Sequence, residues 1–224
     1  IAAWLIAFMP AHVEWVTWAL ADHDAFVMLF ISVGFMYWLR AVKYAGSARI
    51  SKTTSPHPLS FVRAFHDVAA NRQAALANAA LAGVAFGIVS LGWKGFVVGP
   101  SILFLAYALQ VALNMFRRRD STTLSVMFLV MLTTTFLMGL PFYAHPQLNL
   151  VFDSTGLQPF LFIFGFTIAI AFVTTGFRDK PWLLVLGTLT AVAAVFFTVL
   201  YVLKTLEISD AWDVLFTGSG YFTK

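Results

Sequence analysis

Long apolar runs separated by short polar segments dominate the chain. Six of them, at about residues 25 to 42, 74 to 93, 96 to 115, 122 to 143, 157 to 177 and 182 to 203, approach or exceed the length needed to cross a bilayer. A helix advances about 1.5 Å per residue, so roughly 20 apolar residues cover a hydrocarbon core about 30 Å thick. The runs are apolar all round. An outer-membrane barrel would instead alternate polar and apolar positions over about ten residues. The pattern therefore predicts an all-α polytopic membrane protein with about six transmembrane helices, forming a single transmembrane domain over residues 1–224.

Between the first two spans lies a longer inner segment, residues 44–73. Its first half, with Gly46, Ser47, Ser51, Thr53, Thr54, Pro56 and Pro58, reads as irregular loop. From Phe61 onward, Phe61, Val62, Phe65 and Val68 recur at helical spacing opposite Arg63, Asp67 and Arg72, which predicts a short amphipathic helix on the membrane surface. A connector anchored at the interface accounts for it, and a regulatory or partner-binding role is the alternative.

Composition sharpens this picture. Hydrophobic residues make up 60% of the chain and charged residues 11%, against roughly 45–50% and about 25% in ordinary soluble domains. In such a protein the net charge of +4 matters less than its placement, and it gives no reason to expect a nucleic-acid partner. The segments after the first, third and fifth spans carry Arg40, Lys43, Arg49, Lys52, Arg63 and Arg72, then Arg117, Arg118 and Arg119, then Arg178 and Lys180. By the positive-inside rule that face is cytoplasmic. The opposite face has Lys94, Lys204 and Lys224 among Glu14, Asp22, Asp24, Asp153, Glu207, Asp210 and Asp213. An acidic external segment, 10–24, and an external stretch, 205–224, follow from this orientation. With no cysteine, disulfides, thiolate metal sites and cysteine nucleophiles are excluded. The first apolar run, from Ile1, stops at Pro10, too short to span, and has neither a basic leader nor a small-residue cleavage site, so the chain reads as truncated rather than as starting with a signal peptide.

Chemistry concentrates at Asp22-His23-Asp24, where two carboxylates and an imidazole meet the outer end of the first full span. Carboxylates two residues apart repel, and low dielectric drives them toward protonation unless a cation offsets their charge. An Asp-x-Asp at a helix start can direct hard oxygens at one Mg2+ or Mn2+, with phosphate oxygens and water completing the shell. A purely structural role is the competing explanation: Asp22 caps the helix and Asp24 lies favourably against its dipole. His23 is either a third ligand or an interfacial histidine bonded to backbone or water. Lys94, in the turn Trp93-Lys94-Gly95, either meets a lipid phosphate or snorkels to the headgroups. The loop from Tyr143 to Gly156, with His145, Asp153 and Ser154, is polar enough to border a site without showing ligand spacing.

These residues resemble the membrane domain of the oligosaccharyltransferase catalytic subunits, of the bacterial PglB and archaeal AglB type, within the lipid-dependent (GT-C type) glycosyltransferases. Asp22-His23-Asp24-Ala25-Phe26 resembles the family's second acidic motif, on the outer face just before a span. Leu91-Gly92-Trp93-Lys94-Gly95 resembles the tryptophan and glycine turn joining two later spans, and Ile208 to Trp212 through Gly220 to Lys224 resembles the start of the large external loop after the ninth span. The resemblance covers essentially the whole chain.

It implies transfer of an oligosaccharide from a polyprenyl (pyro)phosphate carrier to the amide nitrogen of asparagine in an Asn-x-Ser/Thr sequon. The reaction takes place on the outer face of a bacterial or archaeal cell membrane. Partners would be the lipid-linked oligosaccharide, the acceptor polypeptide and membrane lipid; the cofactor would be Mg2+ or Mn2+, held by Asp22 and Asp24. In the family an earlier acidic loop and a glutamate in the late loop complete the metal site, and a soluble C-terminal domain reads the sequon hydroxyl. This chain has no counterpart of those parts, and Trp15 stands near the place of an arginine that often precedes the second motif. It reads as the fourth through ninth spans, inactive alone. Two other classes compete. A transporter would place ionisable residues or broken helices at mid-span, and a non-catalytic helical subunit of a membrane complex has no need of Asp-His-Asp at the rim.

Overall fold

The computed structural model describes residues 23–45, 60–92, 94–117, 119–143, 157–176 and 182–205. Among them the chain is helical, with no strand. In order, the helices are α1 (His23–Ala45), α2 (Ser60–Asn71), α3 (Gln73–Gly92), a 3-10 turn (Lys94–Val97), α4 (Val98–Phe116), α5 (Thr122–Tyr143), α6 (Leu157–Gly176) and α7 (Trp182–Thr205). Every expected run is helical, and the short helix expected from Phe61 onward is α2. The expected loop over residues 46–59 lies outside the described residues. Proline punctuates helix starts as its missing N–H dictates: Pro100 and Pro159 each occupy the third position of their helix, where the backbone N–H has no partner within the helix.

Among the described residues, four helices are long and apolar enough to cross a membrane: Ala25–Ala45, Gln73–Leu91, Gly95–Phe116 and Thr122–Leu140. The fifth expected span contains a shorter apolar helix, Pro159–Thr174. Large apolar side chains cover the outside, with Leu39 68%, Leu105 69%, Leu109 63% and Val195 65% exposed. A water-soluble chain rarely tolerates so much exposed apolar surface, whereas hydrocarbon solvates it.

Since lipid is as apolar as leucine, close packing rather than apolar burial must hold the helices together. Helix α3 is the centre. Ala75, Ala79, Ala82, Phe86 and Val89 on it are fully buried, and α1 and α5 pack along it. Gly83 lies against the Met131 backbone and Thr134, and Gly87 against Met138 and Thr135. Ascending residues meet ascending residues, so α3 and α5 run parallel. On the other flank, Trp38 meets Phe128 edge-on at 5.3 Å. Phe128 is three residues before Met131 and therefore about level with residue 80 of α3. Four residues earlier on α1, Gly34 touches Phe86. As α1 descends in number α3 ascends, so these two are antiparallel. Helix α4 folds back beside them, and Tyr107 stacks on Phe128 at 4.7 Å with an interplanar angle of 2°. The start of α1, the end of α3, the 3-10 turn and the end of α5 thus share one end of the bundle. Helix α2 packs across the other end, against α5 and α6, with Val68 buried and Asp67 exposed.

Candidate functional site

The end of the bundle that holds the start of α1 is built on aromatic packing. Phe96 in the 3-10 turn is buried against Phe160, near the start of α6, with ring centroids 5.6 Å apart. Val27, Val97 and Leu157 are buried in the same apolar cluster. Gly95 and Gly99 are also buried, so the turn from α3 into α4 is inserted into the bundle rather than draped over it. The reason is local. Val97, the residue before α4, has helical backbone angles and no side-chain cap, so the tight 3-10 turn runs directly into the helix and carries Phe96 inward.

The sequence-predicted residues fall around this platform. Helix α1 starts at His23, two residues earlier than expected, which brings His23 and Asp24 into its first turn. Asp24 precedes the buried Val27 by three residues, about 4.5 Å along the axis. Lys94 opens the 3-10 turn, two residues before the buried Phe96. Antiparallel packing of α1 and α3 sets these backbone positions at one end of the bundle. Asp22, Trp93, the loop residues His145, Asp153 and Ser154, and the stretch 206–224 lie outside the described residues. Among the described residues no group of three or more His, Asp or Glu side chains converges to hold a metal.

A set of polar residues missed by the sequence reading lies toward the other end. The Tyr107 hydroxyl is 2.9 Å from Ser125 Oγ, and both residues are buried. Gln110 Nε2 donates to Asn114 Oδ1 at 2.9 Å, and Asn114 Nδ2 donates to Ser121 Oγ at 3.2 Å. Asp120 Oδ1 accepts from the Thr122 backbone N–H at 3.1 Å and from its hydroxyl at 2.6 Å, fastening the start of α5. The available signal was Gln110 and Asn114 at i and i+4 within an otherwise apolar span. Lys43, Arg117 and Arg119 are exposed at this same end. Charge is thus segregated along the bundle, and the interiors of α3, α4 and α5 contain no Asp, Glu, Lys or Arg.

No protein-family model, curated protein or solved structure matches this chain.

Proposed function

We propose that the chain forms part of the membrane domain of a metal-dependent oligosaccharyltransferase, which moves an oligosaccharide from a polyprenyl (pyro)phosphate carrier to the asparagine amide of an Asn-x-Ser/Thr sequon. The observation that carries this reading is the order of two motifs at one end of the bundle: Asp22-His23-Asp24 running into α1, and Gly92-Trp93-Lys94-Gly95 linking α3 to α4. Span interiors free of ionisable groups and unbroken through α3, α4 and α5 support it over a transporter, whose relay or ion site requires such groups or breaks.

Asp22 and Asp24 are the residues to hold the metal, and their carboxylates are the hard oxygen donors that Mg2+ and Mn2+ prefer. The bound ion would offset the charge of the departing pyrophosphate. Two clustered carboxylates at the rim also favour a cation over an anion in that place. Lys94, which opens the 3-10 turn at the end of the bundle where α1 starts, is suited to a phosphate of the carrier as a compact point charge. In the reaction the acceptor amide nitrogen forms a bond to the anomeric carbon as the carbon–oxygen bond to the carrier breaks. The amide proton is lost and the carrier leaves as its (pyro)phosphate.

The test is transfer by the natural membrane-embedded protein from a lipid-linked oligosaccharide to a fluorescent sequon peptide, with an Asn→Gln peptide as control. Glycopeptide should form with Mn2+ present, stop when the ion is chelated, and never form on the control. A protein that makes no glycopeptide with any divalent ion contradicts the reading.

A further inference from the structure

We infer that the junction of α4 and α5 is a binding site for the headgroup of an anionic phospholipid, in the leaflet facing the basic end of the bundle. The inference does not depend on the proposed enzymatic reading.

Gln110, Asn114 and Arg117 follow one another at i, i+4 and i+7, so they form one row along α4. The row runs beside a stripe of exposed apolar side chains, among them Leu105, Leu109 and Leu113. Gln110 is itself exposed, on a helix apolar and long enough to lie in hydrocarbon, and sits seven residues before Arg117, about 10 Å along the axis. Exposed amides in hydrocarbon are costly unless hydrogen-bonded. Gln110 gives one N–H to Asn114, and its Oε1 and second N–H have no protein partner among the described residues. A group that carries both oxygen acceptors and acyl chains meets this need.

At the mouth of the row stand Arg117 and Arg119, both exposed. Helix α4 ends there, with the Arg117 and Arg119 N–H groups bonded back to the carbonyls of Leu113 and Asn114. The nearest acid, Asp120, is engaged through Oδ1 in fastening Thr122. Two guanidinium groups suit a phosphate. Phosphate at the arginines, ester carbonyls at the Asn114 and Gln110 amides, and acyl chains along Leu105 and Leu109 reproduce the vertical order of groups in a phospholipid. Basic residues just beyond a span attract anionic headgroups generally, but the row of amides beneath them makes this position specific.

The test uses the protein reconstituted in bilayers of equal parts phosphatidylglycerol and phosphatidylcholine, with native mass spectrometry counting the lipids retained. Wild type should retain phosphatidylglycerol preferentially. Neutralising Arg117→Gln and Arg119→Gln together should weaken that retention about twenty-fivefold, roughly fivefold for each arginine. The lysine pair Arg117→Lys and Arg119→Lys should keep most of it. Gln110→Leu with Asn114→Leu, which leaves every charge in place and makes the span more apolar, should lower retention of phosphatidylglycerol as well. If the neutral arginine pair does not fold, this amide pair decides. Equal retention of the two lipids by wild type, or wild-type retention by the amide pair, overturns the inference. So does complete displacement by millimolar inorganic phosphate, which would make the ligand a free anion rather than a lipid.

Discussion

Thr135 on α5 donates its hydroxyl hydrogen bond to two carbonyls, that of Met131 in its own helix at 2.9 Å and that of Gly83 on α3 at 3.1 Å. The second contact is possible because Gly83 has no side chain to hold the helices apart. A Cβ there would collide with the Met131 carbonyl, and one at Gly87 with Met138. The two glycines, four residues apart on α3, are the small-xxx-small arrangement by which membrane helices approach closely. Gly83→Leu and Gly87→Leu should therefore each cost about 1–3 kcal/mol or more through overpacking. Thr135→Val should cost only about 0.6 kcal/mol, the mean for such bonds within membranes. Reversible unfolding in mixed micelles, followed by loss of helical signal, ranks the three. Equal effects for Gly83→Leu and Thr135→Val would show that the approach of α3 and α5 is not close.

Phe86 fills a slot between two other glycines. A Cβ on Gly34 of α1 would lie 2.7 Å from its Cζ, and one on Gly99 of α4 would lie 2.6 Å from its Cε1. Phe35 meets the same ring edge-on at 5.8 Å. Phe86→Ala should cost about 3–5 kcal/mol, since the ring is fully buried and three helices meet on it. Gly34→Ala should destabilise the wild type but be nearly neutral beside Phe86→Leu, a coupling that a double-mutant cycle on unfolding free energies measures directly.

The Tyr107 hydroxyl and Ser125 Oγ bridge α4 and α5 inside the bundle. Tyr107→Phe removes the bond while keeping the stack on Phe128, so it should cost about 1 kcal/mol. Ser125→Ala should cost a similar amount and the pair together little more than either, because they remove the same contact. Full additivity of the two losses would mean the bond does not form.

Because the chain has no cysteine, single replacements report sidedness without background. Lys94→Cys and Arg119→Cys stand at opposite ends of α4, and a membrane-impermeant thiol reagent added to one side of sealed vesicles should label only one of them. Labelling of both from the same side would contradict a spanning α4.

What the sequence made legible follows from how strong each signal is. Apolar runs of span length became helices within a few residues of their expected limits, and the amphipathic period beginning at Phe61 became α2. Neighbour relations were not legible, because runs that are apolar all round name no face. Gly83-x-x-x-Gly87, which the sequence reading passed over, lies on the face that α5 covers. The start of α1 at His23 shows why the site is harder to read than the fold. An acidic residue at a helix start satisfies backbone N–H groups and the helix dipole with the same carboxylate that would hold a cation. Residue type alone does not separate the two uses. Gln110 and Asn114 escaped notice for the opposite reason: isolated amides in an apolar span carry no motif, and their meaning comes from the exposure of Gln110 and the reach of Asn114 to Ser121.

Asp22 and Asp24 therefore decide the matter, and the most direct measurement is oligosaccharide transfer to a sequon peptide by wild type, Asp22→Ala and Asp24→Asn across a manganese titration. Asp24→Asn keeps the size of the residue but loses its charge, so a role against the helix dipole alone would change stability slightly and transfer hardly at all. Loss of transfer in Asp22→Ala, with a raised manganese requirement in Asp24→Asn and unchanged helical content in both, is the expected result. Normal transfer at wild-type manganese by both variants would contradict the assignment and leave the two aspartates as the start of a helix.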